Sequence, residues 1–390
     1  MKKITKTVWV LSLVSFLTDI SSEMLYPIMP IYLKSIGFSI VLIGVLEGFA
    51  EATAGLSKGY FGKLSDVKGK RLPFVQLGYF FSALSKPMMA VFTFPTWVFS
   101  ARTLDRLGKG VRTGARDALL SDEATPATKA TVFGFHRAID TLGGAMGPIV
   151  ALAFLYFNPG SYQTLFYLAF LPGMLGVFTT FFIREKPNQI KATHKKTGFF
   201  SFLKYIPQSK TEYRKLLIGL LIFTLFNSSD VFLLLMLKHY GYSDTEMIGI
   251  YIFYNLVYAV CAYPAGILAD KIGLKKMFTT GLVIFVITYL GMAIFKDRYL
   301  IYALFFLYGI YAASTEGVSK AWITNVCDKK DTATAIGTYE GLKSITTMLA
   351  STLAGLIWFY VSPEATFIAS GIGILVAIIY FMRIPYYYKN

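Results

Sequence analysis

Apolar residues are gathered into twelve runs, at roughly 7–33, 41–61, 73–95, 97–119, 130–157, 162–183, 216–237, 246–268, 277–295, 299–323, 333–361 and 365–385, with short polar stretches between them. Runs of about 20 residues match the length a helix needs to cross a hydrocarbon core about 30 Å thick. One run departs from the rest. Val98–Asp122 is long enough to span, yet it carries Arg102, Asp105, Arg106, Lys109, Arg112, Arg116 and Asp117. At about 100° per residue, its basic side chains and Asp105 fall within a stripe roughly 120° wide, with Asp117 at the edge. Such a helix is either soluble or a membrane helix whose charged face looks into water or protein. The eleven apolar neighbours select the second reading and predict an all-α integral membrane protein with 12 transmembrane helices.

Composition agrees. Of 390 residues, 55% are hydrophobic and 15% charged, against about 25% charged in a soluble domain. The net charge of +16 would point to nucleic acid in a soluble protein, but the lysines and arginines outside the spans fall in alternate loops. Lys2, Lys3 and Lys6, then Lys63, Lys68, Lys70 and Arg71, then Lys191, Lys195, Lys196 and their neighbours, and later Lys271, Lys275, Lys276, Lys329, Lys330, Arg383 and Lys389 share one side. The other side offers little beyond Lys34, Lys238, Lys296 and Arg298. Positive loops stay in the cytoplasm, so both termini are expected there, and no nucleic-acid partner is. The N-terminal Met1–Lys6 and the run after it mimic a signal peptide, but Asp19 and Glu23 interrupt that run and no small-residue cleavage site follows, so it reads as a retained first span. Cys261 and Cys327 have no metal-ligand spacing and read as packing residues.

The chain also repeats itself. Gly62–Arg71, GKLSDVKGKR, returns as Gly266–Lys276, GILADKIGLKK, 204 positions on, and the same offset carries Gly37 onto Gly241, Ser39 onto Ser243 and Arg116 onto Lys320. Ala130–Arg137 meets Ala333–Glu340 within one residue of that register. Two six-helix bundles of like orientation are therefore expected, at 1–186 and 215–390, joined by a basic cytoplasmic linker at 187–214.

With these residues in view, the chain resembles the major facilitator superfamily along essentially its whole length. The loop motif of that family is matched by Gly62, Leu64, Asp66, Gly69, Lys70 and Arg71, and again by Gly266, Leu268, Asp270, Gly273 and Lys275. The resemblance implies a substrate site near the midplane between two parallel halves. It also implies a loop that latches the outward-open state with help from a carboxylate at the cytoplasmic end of the fourth span, where Asp117 stands beside Arg116. Lys70 replaces an arginine, so bidentate geometry is lost there; simple anchoring of the loop at the membrane surface is the blander alternative. The fourth-span motif of the family is matched by Arg102, Gly108 and Gly110, with Asp105, Arg106 and Lys109 as departures. In relatives that arginine is implicated in proton or substrate coupling; an intrahelical pair, Arg102 with Asp105 or Asp105 with Lys109, would merely neutralise the helix. Gly134, Gly143, Gly147 and Pro148 are similar to the antiporter motif of the fifth span, though its closing glycines are Ala151 and Leu152. They equally serve close helix packing.

Asp19 and Glu23 lie one turn apart on one face of the first span and are the candidate proton carriers; a salt bridge to Arg102 or Arg106 is the structural alternative. Arg112, and His136, Arg137 and Asp140 on the fifth span, complete the candidate cavity. Glu47, Glu51 and Lys58 share a face of the second span, Glu316 and Lys320 have the spacing of a helical pair, and Lys86 beside Pro87 reads as a packing feature. One histidine within a span makes no metal site, and no cofactor is expected. The reading is a monomeric, lipid-embedded carrier of the cytoplasmic membrane, coupled to protons, that exports a small anionic or zwitterionic organic solute. Uptake of a siderophore or organic acid, and export of a cationic drug on the first-span acids, are the alternatives. An enzyme or sensor would need a soluble domain or a catalytic constellation, and neither is legible.

Overall fold

The computed structural model describes residues 4–26, 28–185 and 198–384, and among these the regular structure is entirely helical. The chain runs α1 (Lys6–Glu23), α2 (Met29–Ser35), α3 (Ile40–Lys68), α4 (Leu72–Val91), α5 (Pro95–Asp122), α6 (Lys129–Phe157) and α7 (Tyr162–Thr180). A 3₁₀ turn at Phe199–Lys204 and the short α8 (Tyr205–Gln208) lead into α9 (Thr211–Phe226), α10 (Val231–His239), α11 (Asp244–Ile272), α12 (Leu274–Ile294), α13 (Arg298–Val326), α14 (Thr332–Tyr360) and α15 (Pro363–Arg383). Eight helical segments, from Lys129–Phe157 to Pro363–Arg383, are long and apolar enough to cross a membrane. The stretches before Lys129 are not among them, and α5 in particular carries its charges through the middle of the helix. Of the expected linker, residues 187–197 lie outside the described residues, as do Lys2, Lys3 and Lys389 of the topology argument.

Local signals repeat with the sequence. Gly37 and Gly241 hold φ of 93° and 86°, a region that favours glycine. Two residues later Ser39 and Ser243 cap α3 and α11 by accepting the N–H of Leu42 and of Glu246, the second within a capping box. Gly69 ends α3 at φ 63°, and Gly273 separates α11 from α12 at φ 100°. α1 ends at Glu23 and α9 at Phe226, near the repeat offset, and each is followed by a short helix, α2 and α10.

The described residues group into two compact units. Unit 1 holds residues 1–123, 139–206 and 328–341; unit 2 holds 124–138, 207–327 and 342–390. The first turns of α6 thus group with later helices, and the first turns of α14 with earlier ones. In unit 1 the apolar core gathers Tyr32, Leu33, Leu46, Met89, Val98, Leu165 and Phe166. In unit 2 rings dominate: Phe285 stacks on Tyr289 at 3.8 Å, and Phe278 meets Phe381 at 5.1 Å. Glycines set the closest helix contacts. A Cβ on Gly62 would strike the Ala333 carbonyl, one on Gly337 the Lys58 carbonyl, and one on Gly266 the Ala130 carbonyl. Gly59 leaves room for the buried Phe202 ring.

Gly62→Leu is therefore expected to lower stability by about 1–3 kcal/mol through overpacking, read as a fall in the thermal midpoint in detergent. Gly48→Ala, which meets nothing within 4 Å, should leave the midpoint within error of wild type.

Candidate functional site

Unit 1 contains a chain of buried charges built on α5. Its proline at the first turn, Pro95, starts the helix, and small residues on one side, Gly108 against the Gly78 carbonyl (2.6 Å from an ideal Cβ) and Gly110 against Ser57, let α4 and α3 come close. That proximity supplies the counter-charges. Arg102 forms a two-pronged bond to Glu47, Nε to Oε1 and Nη2 to Oε2, both at 2.8 Å, and its Nη1 lies 3.4 Å from Asp105. Asp105 in turn takes the Lys86 ammonium at 2.8 Å. Lys86, expected to be a packing feature, is therefore the buried partner that allows a carboxylate inside α5, and the alternative of a bridge from Asp19 or Glu23 to Arg102 gives way to Glu47. Arg112 donates to Ser82 at 2.8 Å and lies over the Tyr79 ring at 4.4 Å. Arg116 bonds Asp117 at 2.9 Å and Ser15 at 3.2 Å.

Two cations of the stripe are left without such bonds. Arg106 and Lys109 make no hydrogen bond or ion pair among the described residues, and the Arg106 Nε is shut off from solvent. Glu23 and Glu51 face both of them at longer range. Close by, Asp19 faces Asp140. The glycines of α6 allow this approach: a Cβ on Gly143 would meet Phe16 and one on Gly147 would lie 2.7 Å from the Met24 nitrogen, where α1 breaks, with Pro148 next in line. His136 and Arg137, one turn earlier on α6, belong to unit 2. There Arg137 donates to the Tyr258 hydroxyl at 2.7 Å and to Glu316 at 3.0 Å, and Lys343 bonds the other Glu316 oxygen at 3.3 Å. His136 is buried.

The loop-motif aspartates do the same job twice. In unit 1, Asp66 accepts from the backbone N–H and the hydroxyl of Thr334, at 2.7 and 2.9 Å, in the first turn of α14. In unit 2, Asp270 accepts from the N–H groups of Ala130 and Thr131, at 3.1 and 2.8 Å, and from the Thr131 hydroxyl at 2.6 Å, in the first turn of α6. A carboxylate against the positive end of a helix satisfies orphan N–H groups and the macrodipole together. Arg71 bonds Asp66 at 3.4 Å and also Asp122, while Asp117 holds Arg116; Lys70 is exposed. Glu185 caps the start of α4 through the N–H groups of Arg71 and Leu72. One turn further into α14, Glu340 pairs with Lys58 at 3.2 Å.

Asp122, Glu185 and Asp230 carry no motif and went unread in the sequence. Asp230 accepts phenol hydrogen bonds from Tyr308 at 2.7 Å and Tyr254 at 3.1 Å. Its only sequence signal is an acid after Asn227-Ser228-Ser229 inside an otherwise apolar run.

Apolar helices in this number, enclosing paired and unpaired charges, define a multi-pass membrane transporter rather than an enzyme. The profile of the Major Facilitator Superfamily matches residues 11–253 and 216–389, and the chain belongs to that family. It is 34% identical over 377 residues to an uncharacterized MFS-type transporter of Methanocaldococcus jannaschii, covering 94% of this chain and 92% of the relative. A shorter likeness, 29% over 146 residues and 36% of the relative, joins it to the multi-drug resistance efflux pump PmrA of Streptococcus pneumoniae. Among solved structures, the human organic anion transporter TETRAN superposes with a TM-score of 0.84 at 14% identity, covering 96% of this chain and 98% of that one; this shows the shared fold.

Asp105→Ala strands the Lys86 ammonium and is expected to cost about 3–5 kcal/mol. Lys86→Met combined with Asp105→Leu should recover most of it, as measured by unfolding in mixed detergent–denaturant micelles. Asp66→Asn and Asp270→Asn, which keep the shape and lose the charge, should each cost about 0.3–2 kcal/mol in the same assay.

Proposed function

We propose that this protein is a proton-coupled secondary transporter that moves a small organic solute bearing an acidic group, anionic or zwitterionic, out across the cytoplasmic membrane by alternating access. The observation that carries this reading is the placement, within unit 1, of two cations whose side chains are unbonded, Arg106 and Lys109, near two neighbouring acids, Asp19 and Asp140. A guanidinium whose partners elsewhere on its helix are already satisfied offers a fork for a carboxylate or phosphate. Two neighbouring carboxyls in an apolar setting provide a group that can take up and release a proton as the solute's charge, or a gradient, changes. The solute named for TETRAN and the efflux role named for PmrA support an acidic cargo and outward direction. Glu23 and Glu51 beside the cations favour a zwitterion as the second form of cargo over a simple anion.

In this reading the chain has twelve spans, with α1/α2 and α9/α10 each forming one broken span, and both termini in the cytoplasm. The functional halves are 1–186 and 215–390, joined by 187–214, and the monomer is the working unit. The two aspartate clamps, Asp66 on α14 and Asp270 on α6, act as the latch that holds the cytoplasmic helix ends together in one state.

Transport into liposomes containing the purified protein tests the proposal, with a panel of labelled mono- and dicarboxylates, amino acids and phosphate monoesters and an imposed pH gradient. Accumulation of at least one panel member should follow the gradient and collapse with an uncoupler. Asp19→Asn should keep solute exchange while losing gradient-driven accumulation, and Arg106→Ala should weaken acidic solutes at least tenfold. Accumulation indifferent to the gradient would overturn the coupling, and unchanged affinity in Arg106→Ala would overturn the site.

A further inference from the structure

The break in the seventh span has a chemistry of its own. α9 ends at Phe226, α10 begins at Val231, and between them run Asn227, Ser228, Ser229 and Asp230. A membrane helix interrupted in this way leaves carbonyl oxygens at the end of its first part without N–H partners, at the negative end of the macrodipole. Backbone of this kind is tolerated at membrane depth only where protein or a bound group satisfies it.

The interruption is held in place rather than loose. The Ser229 N–H donates to the Ser351 hydroxyl at 3.2 Å, and the Phe226 ring occupies space that only a glycine at 373 leaves open. The side chains gathered here are oxygen donors. Asn227 Oδ1 is shut off from solvent and has no hydrogen-bond partner. Ser228 is buried. Asp230 is bonded only by the two phenols of Tyr254 and Tyr308 and makes no ion pair among the described residues. The charged groups that face it, Glu316 and Lys343, are bonded to one another, and Glu316 also to Arg137. One carboxyl, one unused amide oxygen and the carbonyl end of α9 therefore lie together within residues 226–230, with no cation assigned to them.

We propose that the break between α9 and α10 binds a sodium ion, with Asp230, Asn227 Oδ1 and the terminal carbonyls of α9 as its ligands. The ligand set selects the class of ion. All donors are hard oxygens, and no cluster of three or more His, Cys, Asp or Glu suited to a metal occurs among the described residues, which disfavours transition metals. A single carboxylate suits a monovalent ion better than calcium, whose sites gather several. The rings around the break pack on one another, Tyr254 on Tyr308 at 5.1 Å and Tyr308 on Tyr311 at 5.2 Å, an arrangement that suits a compact ion better than an organic ammonium. Half-helix ends with unwound carbonyls are the arrangement by which broken membrane helices hold sodium in other transporter folds. The ion would supply a second coupling cation, in unit 2, and its binding is independent of the solute proposed above.

The experiment uses the purified full-length protein without organic solute, at fixed pH and with choline chloride holding ionic strength constant. Thermal midpoints are measured against sodium and potassium chloride, and binding of labelled sodium by equilibrium dialysis. A saturable midpoint rise specific to sodium is expected, following mass action, with about one ion bound per chain at saturation. Asn227→Ala should weaken binding at least tenfold, and Asp230→Asn should abolish it. Should Asp230→Asn fail to fold, dialysis on wild type and Asn227→Ala still decides. Equal midpoints in sodium and choline with no saturable dialysis signal would overturn the proposal, as would sodium binding that survives Asp230→Asn or is unchanged in Asn227→Ala. Because no solute is present, failure of the transport reading leaves this result intact.

Discussion

An ion placed in an apolar slab loses several kcal/mol of hydration, and only a partner, water or a shared proton returns it. That cost governs unit 1. α5 carries five basic side chains and three acids, Asp105, Asp117 and Asp122, and the helices around it are arranged as answers to the buried ones. α3 contributes Glu47 to Arg102, α4 contributes Lys86 to Asp105 and Ser82 to Arg112, and α1 contributes Ser15 to Arg116. Such bonds need short helix separations, which is why the glycines of α5 fall between the charges: Gly108 lies against α4 and Gly110 against α3. Charge neutralisation and close packing are one requirement here, since a larger residue at either glycine would pull a counter-charge out of reach.

The same economy of backbone appears at the helix ends. α6 and α14 each have N–H groups of their first turn taken by an aspartate from a distant part of the chain. A helix capped by its own neighbour is indifferent to tertiary contacts. One capped by Asp66 or Asp270 is satisfied only while the two segments are together, so part of its local stability becomes a reporter of a long-range contact. Around Asp66 the network extends through Arg71 to Asp122, and through the backbone of Arg71 to Glu185. Loop, α4 start and α14 start therefore share one set of charges.

The architecture was readable in the chain because it rests on local and repeated signals: apolar run lengths, the glycine and serine before α3 and α11, and the aspartates of the loop motif. The pattern of charges was readable as well, since their types and face follow from spacing. Their partners were not. Nothing in the order of residues says that Arg102 would choose Glu47 over Asp19, that Arg71 would reach Asp122, or that Lys86 would be an ionic partner instead of a packing residue. Those choices depend on the rotation of each helix about its axis, a quantity that hydrophobic runs fix loosely when a helix is apolar on most sides. Asp230 was missed for a different reason. A single acid in an apolar run has no motif, and the phenols that receive it lie 24 and 78 residues away.

The repeat itself separates structure from chemistry. Carried forward by 204 positions, the residues that shape the backbone reappear: Gly37 as Gly241, Ser39 as Ser243, Gly62 as Gly266, Asp66 as Asp270. Most of the charged stripe does not, although Arg112 returns as Glu316 and Arg116 as Lys320. Arg102 becomes Phe306, Asp105 becomes Gly309, Arg106 becomes Ile310 and Lys109 becomes Ala313; Lys86 becomes Leu290 and Asp19 becomes Phe223. α5 and α13, matched by the repeat, thus differ in their middle turns: one carries Arg102, Asp105, Arg106 and Lys109, the other the packed rings of Tyr308 and Tyr311, with Glu316 paired to Arg137 and Lys343 two turns on. The ions in the middle turns of α5 are therefore not demanded by the helix position itself, since α13 fills the corresponding turns with Phe306, Gly309, Ile310 and Ala313 and keeps its charge further along, at Glu316 and Lys320.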